Sequence, residues 1–254
     1  MTLLLDPRRR AMLREMGVSV WLPAPAADPP VALPSSIAAP GPIAAPAPSA
    51  PARDTGPVAS MDWLALREAV AGCTACGLCR SRKNTVFGVG AQRADWMVVG
   101  EAPGENEDLQ GEPFVGQAGQ LLDNMLAALG LGRDRDGAHS VFIANVLKCR
   151  PPGNRNPAPE EIAQCEPFLK RQVALVQPKI ILAMGRFAVQ SLLQSNEPIG
   201  KLRGRVHHYQ GVPLVVTYHP AYLLRNLPEK AKAWADLCLA RATLQSLSEP
   251  PASV

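Results

Sequence analysis

The sequence predicts an α/β fold, a three-layer α/β/α sandwich around a mainly parallel central sheet. Three observations lead there. Short, wholly apolar runs of strand length recur along the chain, such as WMVVG ending at Gly100 and IILAM ending at Met184. They alternate with longer segments whose apolar residues fall every three or four positions, as on a helix with one buried face. Strands that are apolar on both sides need cover on both faces, and interleaved helices supply it. Finally, many of the 26 prolines crowd among Ala and Ser in residues 23–57, which leaves one ordered domain in the 254 residues.

Taken in order, residues 7–22 carry Met12, Leu13, Met16 and Val18 at helical spacing. A helix this short cannot bury them alone, so segment 1–22 is expected as a frayed tail or as a peptide docking on the domain or on a protein partner. Residues 23–58 have too little large apolar surface to offset the entropy of ordering and read as a disordered linker. The domain spans 59–247, with a tail over 248–254. Residues 94–100 form the first buried strand, and 116–129 a helix stopped by Gly130. A second strand covers 141–146. The helix over 159–176 opens with Pro159, Glu160 and Glu161, which suit a helix amino terminus in backbone angle and charge. A third strand (179–184) and a helix (186–193) follow. Residues 206–209 and 214–217 flank Gly211 as a hairpin ending in the last core strand, and 229–247 close the chain as a helix. In parallel sheets ligands sit beyond the carboxyl ends of the strands. Glu101 onward, the segment from Asn145, and Tyr218 with His219 should therefore border one crevice.

The net charge of +4 and pI of about 8.8 are mildly basic, compatible with a polyanionic partner without requiring one. No apolar run reaches membrane-spanning length, and residues 1–5 followed by Arg8, Arg9 and Arg10 lack the order of a secretory signal. A soluble, cytoplasmic protein without membrane association is expected. In a reducing compartment six cysteines suggest metal ligation more than disulfides. Cys73 and Cys76 form a C-x-x-C pair with Cys79 three residues on. Cys149 and Cys165 flank a Pro/Asn-rich loop, and Cys238 reads as a buried helical thiol. Converging thiolates can hold zinc or an iron–sulfur cluster; spacing does not separate the two, nor does it exclude Cys79.

The turn Gly100-Glu101-Ala102-Pro103-Gly104 after the first strand can bring backbone N–H groups close to a ligand. The spacing of a dinucleotide fingerprint is absent, and no P-loop follows. Phe114 reads first as a core plug and second as an aromatic face for a planar ligand. Here a resemblance becomes specific. GEAPGENEDLQGEPFVGQAGQLLD (100–123), NVLKCRPPGNRNP (145–157) and TYHPAYLLR (217–225) resemble the signatures of family-4 uracil-DNA glycosylases. CTACGLC (73–79), followed by VFGVG (86–90), is similar to the start of that family's domain.

The resemblance implies a hydrolase of base excision repair that flips uracil out of single- or double-stranded DNA and cuts its N-glycosidic bond, in a monomer of the uracil-DNA glycosylase-like fold. It implies a [4Fe-4S] cluster on Cys73, Cys76, Cys149 and Cys165, with Cys79 outside the set, and Arg150 and Arg155 turned to phosphates. His219 would be the donor to uracil O2, where negative charge grows as the base leaves. Asn145 would read the O4/N3 edge, Phe114 would stack on the ring, and Glu101, Ala102 and Pro103 would line the pocket. Ala102 stands where a better-known branch of the superfamily has an aspartate base. Glu101 or Glu107 could then assist the water, or water could attack an already dissociating sugar cation. Leu223, Leu224 and Arg225 resemble the loop that fills the gap left by the flipped nucleotide. Arg80, Arg82, Lys83, Arg203 and Arg205 are further phosphate candidates, or ordinary solvated charges. The alternatives are a non-turnover uracil-DNA binding protein and a non-enzymatic metal-containing nucleic-acid binding module. The first is disfavoured because no basic insert interrupts Cys149-Arg150-Pro151-Pro152.

Overall fold

The computed structural model describes residues 56–248. The expected segment 1–22, nearly all of the linker read over 23–58, and residues 249–254 lie outside them. The first described residues form a single 3-10 turn, Gly56–Ser60, whose Val58 packs on the core.

Six strands form one sheet: β1 (Val89–Gly90), β2 (Trp96–Gly100), β3 (Val141–Asn145), β4 (Ile180–Met184), β5 (Val206–Tyr209) and β6 (Val212–Thr217). Their order is β1-β3-β2-β4-β6-β5. The inner pairs β2–β3, β2–β4 and β4–β6 are parallel, while β1 and β5 close the two edges antiparallel. Every residue of β2, β3 and β4 is buried, which is why these strands read as apolar runs, broken only by Asn145 at the end of β3.

Alternate side chains go to opposite faces. On one face Met97, Val99, Phe142 and Ile181 pack against α1 (Trp63–Ala71), α4 (Pro159–Val176) and α5 (Arg186–Leu193). On the other, Trp96, Val98, Ile143 and Leu182 meet α3 (Gln117–Ala128) and α8 (Glu229–Ser248). The α/β/α sandwich is thus observed, and α4 and α5 have the expected bounds. Among the described residues no helix is long and apolar enough to cross a membrane.

The register aligns the strand ends: Gly100 pairs with Asn145, and Met184 with Thr217. Glu101, the loop after Asn145, Gly185 and Tyr218 therefore emerge along one border. Because β3 and β4 lie on opposite sides of β2, this border holds the point where the chain reverses its direction of winding, the usual place for a ligand crevice.

Three short helices were not evident from pattern: α2 (Glu105–Gln110), α6 (Ile199–Leu202) and α7 (Pro220–Arg225). The last corrects one expectation. Leu223 does not project as a wedge; it lies inside α7 at 1% exposure, whereas Leu224, one residue on, is 38% exposed. Helical periodicity turns neighbouring side chains about 100° apart, so only one of the pair can point outward.

Candidate active site

A cavity of about 1040 Å³ opens at the aligned strand ends. Glu101, Ala102, Pro103, Phe114, Asn145 and His219 all line it. The geometry brings together the residues that sequence reasoning drew from three distant segments.

Phe114 is held in an unusual way. Its φ of 56° is left-handed, a conformation that costs a non-glycine residue on the order of 1–3 kcal/mol. Neighbouring contacts hold it there. Arg133 donates to the carbonyls of Pro113 (2.9 Å) and Phe114 (3.1 Å), and is anchored in turn by Glu112 and Asp123. On the other side Glu107 Oε1 accepts from the backbone N–H of Val115 (3.0 Å) and Gly116 (3.2 Å). Gly119 lets α3 pass beneath, since a Cβ there would lie 1.7 Å from the Phe114 carbonyl oxygen. The ring is buried yet lines the cavity, stacked on His219 with centroids 5.5 Å apart and planes at 27°. Core plug and cavity wall are one and the same.

These bonds also settle Glu107. Its second oxygen accepts from Gly104 N–H at 3.1 Å, the reach-back half of a capping box that starts α2. Both oxygens of Glu107 are thus engaged by backbone N–H groups, which clamp the turn. Glu101 differs: it lines the cavity, and burial pushes its carboxyl up to about 7.

His219 caps α7 with its own ring: Nδ1 accepts from Ala221 N–H at 3.2 Å. An accepting Nδ1 carries no proton, so the neutral ring bears its hydrogen on Nε2. Burial pushes the imidazolium down to about 4, so the ring is neutral at physiological pH. Asn145 lies across Gly100, and its Oδ1 is buried without a hydrogen-bond partner. A buried orphan acceptor in a cavity wall is a group waiting for a ligand.

Asn145 is braced from behind. Lys148, 2% exposed, donates through Nζ to the Asn145 carbonyl (2.7 Å) and to Gln172 Oε1 (2.6 Å), and Gln172 Nε2 donates to Phe87 O (2.8 Å). Burial lowers the ammonium to about 7, an effect the nearby thiols of Cys165 and Cys149 oppose. Lys148→Met strands two buried acceptors at about 1–3 kcal/mol each. Thermal unfolding should then occur roughly 5–15 °C lower. An unchanged melting temperature would mean the strut carries no load.

The thiols gather behind the same wall. Cys149 and Cys165 are buried with Leu78 and Leu147, and Cys76 and Ala102 pack against them. Cys149 interacts electrostatically with Cys76 and Cys73, and Cys165 with Cys149 and Cys76. Arg82 Nη1 donates to Cys149 Sγ at 3.1 Å. Burial pushes the Cys165 thiol up to about 11 and raises Cys149, which Arg82 pulls back. Such thiols are inert as nucleophiles, whereas a metal centre would hold them as thiolates. Two cations beside a thiol constellation suit an anionic cluster. Among the described residues, no group of three or more His, Cys, Asp or Glu side chains is arranged to hold a single metal ion.

The fold, the register and these motifs coincide with a known family. Residues 87–238 match the model of the uracil DNA glycosylase superfamily. The chain is 44% identical to the type-4 uracil-DNA glycosylase of Archaeoglobus fulgidus over 160 residues, 60% of this chain and 78% of that protein. It is 41% identical to the Saccharolobus solfataricus type-4 enzyme over 195 residues, covering 73% and 87%. The figure for the Thermotoga maritima type-4 enzyme is 44% over 161 residues, covering 63% and 81%. The chain belongs to the uracil-DNA glycosylase superfamily, in its type-4 branch.

For this superfamily member, several arginines expected at phosphates have partners within the protein. Arg155 makes a two-pronged pair with Glu161 at 2.9 and 2.6 Å, and Arg150 donates to Asn154 at 2.8 Å with Glu105 at 3.4 Å. Arg82 turns to Cys149, and Arg203 is held by Asp236. Arg225 is exposed at the cavity wall, and Arg80 and Lys83 are exposed. Sequence reasoning missed Gly185, Arg186 and Tyr222 as cavity residues. The first two follow β4 directly, so the strand-end rule could have found them.

Proposed function

We propose that the protein excises uracil from DNA, leaving an abasic site. One observation carries this reading: a neutral imidazole with its Nε2 proton available and an orphan Asn145 Oδ1 wall the same cavity. Oδ1 accepts from the N3–H of an everted uracil while the amide nitrogen donates to O4; cytosine reverses that pattern and is refused. As the C1′–N1 bond breaks, its electron pair moves into the ring, and the Nε2–H of His219 stabilises the charge growing on O2. Neutral imidazole donors serve elsewhere in this way. Water then bonds to C1′ and gives its proton to Glu101, the cavity carboxylate without a structural duty. Leu224, exposed on α7, would fill the vacated stack, with Arg225 beside it.

By the same proposal Cys73, Cys76, Cys149 and Cys165 would hold a [4Fe-4S] cluster, which would supply a covalent tie between the segment before β1 and the loops behind the cavity. Iron and sulfide analysis with visible absorbance tests this directly. The activity is tested with a uracil-containing oligonucleotide: purified protein should release uracil and leave a site that breaks in hot alkali. No release would refute the reading, and a protein–DNA adduct on a denaturing gel would favour non-turnover binding instead.

A pH dependence follows from Glu101. Its carboxylate form accepts the proton from water, so release should rise with pH through about 7, and Glu101→Gln should be slow and flat there. Stability runs the other way. Between the ordinary carboxyl value of 4.5 and about 7 the folded state keeps a proton that the unfolded chain has lost, so stability from this site falls as pH rises. Glu101→Gln should melt higher than wild type above pH 7, and a lower melting temperature there would contradict the assignment.

A further inference from the structure

The cavity is larger than one pyrimidine requires; about 300–1,000 Å³ commonly holds an entire drug-sized ligand. Part of its wall is aromatic and has no role in the chemistry above. Tyr218 and Tyr222 stack with ring centroids 5.1 Å apart and planes at 29°, and both line the cavity. The pair is anchored from one end. Arg203 lies over the Tyr218 ring at 5.8 Å, fixed by Asp236 at 3.0 and 2.9 Å and by the Lys232 carbonyl. The Tyr222 main chain is tied to that of His219, its N–H donating to the His219 carbonyl at 2.9 Å. It is nevertheless 37% exposed. Arg186 and Arg225 line the same cavity and supply positive charge for a backbone.

A held aromatic column ending in an exposed ring, one helical turn from His219, is a platform for a second base. We propose that Tyr218 and Tyr222 form a stacking shelf for the nucleobase adjacent to the everted uracil in single-stranded DNA. This rests on the uracil-excision reading and extends it to substrate form. A single strand offers an unpaired neighbour whose face is free, whereas in a duplex that neighbour is paired and stacked on its own helix. The shelf reads no sequence, because every base has a face to stack.

The test compares wild type, Tyr222→Ala and Tyr222→Phe on one uracil oligonucleotide, single-stranded and in a U:G duplex. The ratio of single-strand to duplex kcat/KM should fall about 10- to 100-fold in Tyr222→Ala, through KM, and Tyr222→Phe should restore it. Replacing the neighbouring nucleotide by an abasic one should weaken single-strand binding of wild type, read by fluorescence anisotropy, and leave Tyr222→Ala with no further loss. Equal losses on both substrates, or additive effects of the two changes, would overturn the shelf. If wild type released no uracil at all, the excision reading would fail, while anisotropy with the abasic-neighbour oligonucleotide would still decide the shelf.

Discussion

His219→Ala is expected to lower kcat for uracil release by about 10²- to 10³-fold, with a much smaller change in KM, the loss typical when one preorganised donor to a developing anion is removed. Two separate observations support the proposed donor. Ala221 N–H occupies Nδ1 at 3.2 Å, which leaves the proton on Nε2, and burial keeps the ring neutral by pushing its imidazolium down to about 4. Gly185 permits the approach, since a Cβ there would come within 3.0 Å of the His219 Cβ. Single-turnover cleavage of a uracil oligonucleotide measures the effect, with the melting temperature as the check on folding. A loss under tenfold would mean that the departing charge is absorbed elsewhere.

Gly100→Ala should cost about 10²-fold or more in kcat/KM although it removes no chemical group. The new Cβ would lie 2.4 Å from Asn145 Oδ1 and 2.6 Å from the tip of the Phe114 ring, so both must move. Displacements of about 1 Å at a reacting centre carry losses of this size. Both neighbours are themselves constrained, Asn145 by the Lys148 strut and Phe114 by Arg133 and Glu107, so little relaxation is available. Steady-state kinetics on the same oligonucleotide decide it, and near-wild-type activity would show the pocket to be more pliable than its packing implies.

Much of the fold and of the site is legible in the sequence. Strands buried on both faces are apolar nearly throughout, with Asn145 at the end of β3 the polar exception, so β2, β3 and β4 announce themselves, and Pro159 with two glutamates marks the start of α4. The strand-end rule placed Glu101, Asn145 and His219 at one crevice because register and winding leave few other arrangements. What stayed hidden depends on contacts between distant residues. The α2 sequence, ENEDLQ, has no apolar stripe, and α7 is capped by a histidine ring, which is not a usual capping signal. Leu223 and Leu224 are alike as residues, and only the helical turn of α7 buries one and exposes the other. The inward turn of Arg82 and Arg203 is equally invisible, since their partners, Cys149 and Asp236, lie 67 and 33 residues away. The backbone partners of Glu107, Val115 and Gly116, are likewise invisible to pattern, since they depend on how the loop folds back.

The left-handed peptide at Phe114 settles when the conformational cost of the pocket is met. Arg133, Glu107 and the bare α-carbon of Gly119 hold it in place through contacts internal to the protein, so the expense falls on folding. An arriving nucleotide finds its aromatic wall already standing, and the free energy of its binding remains available for eversion and bond cleavage.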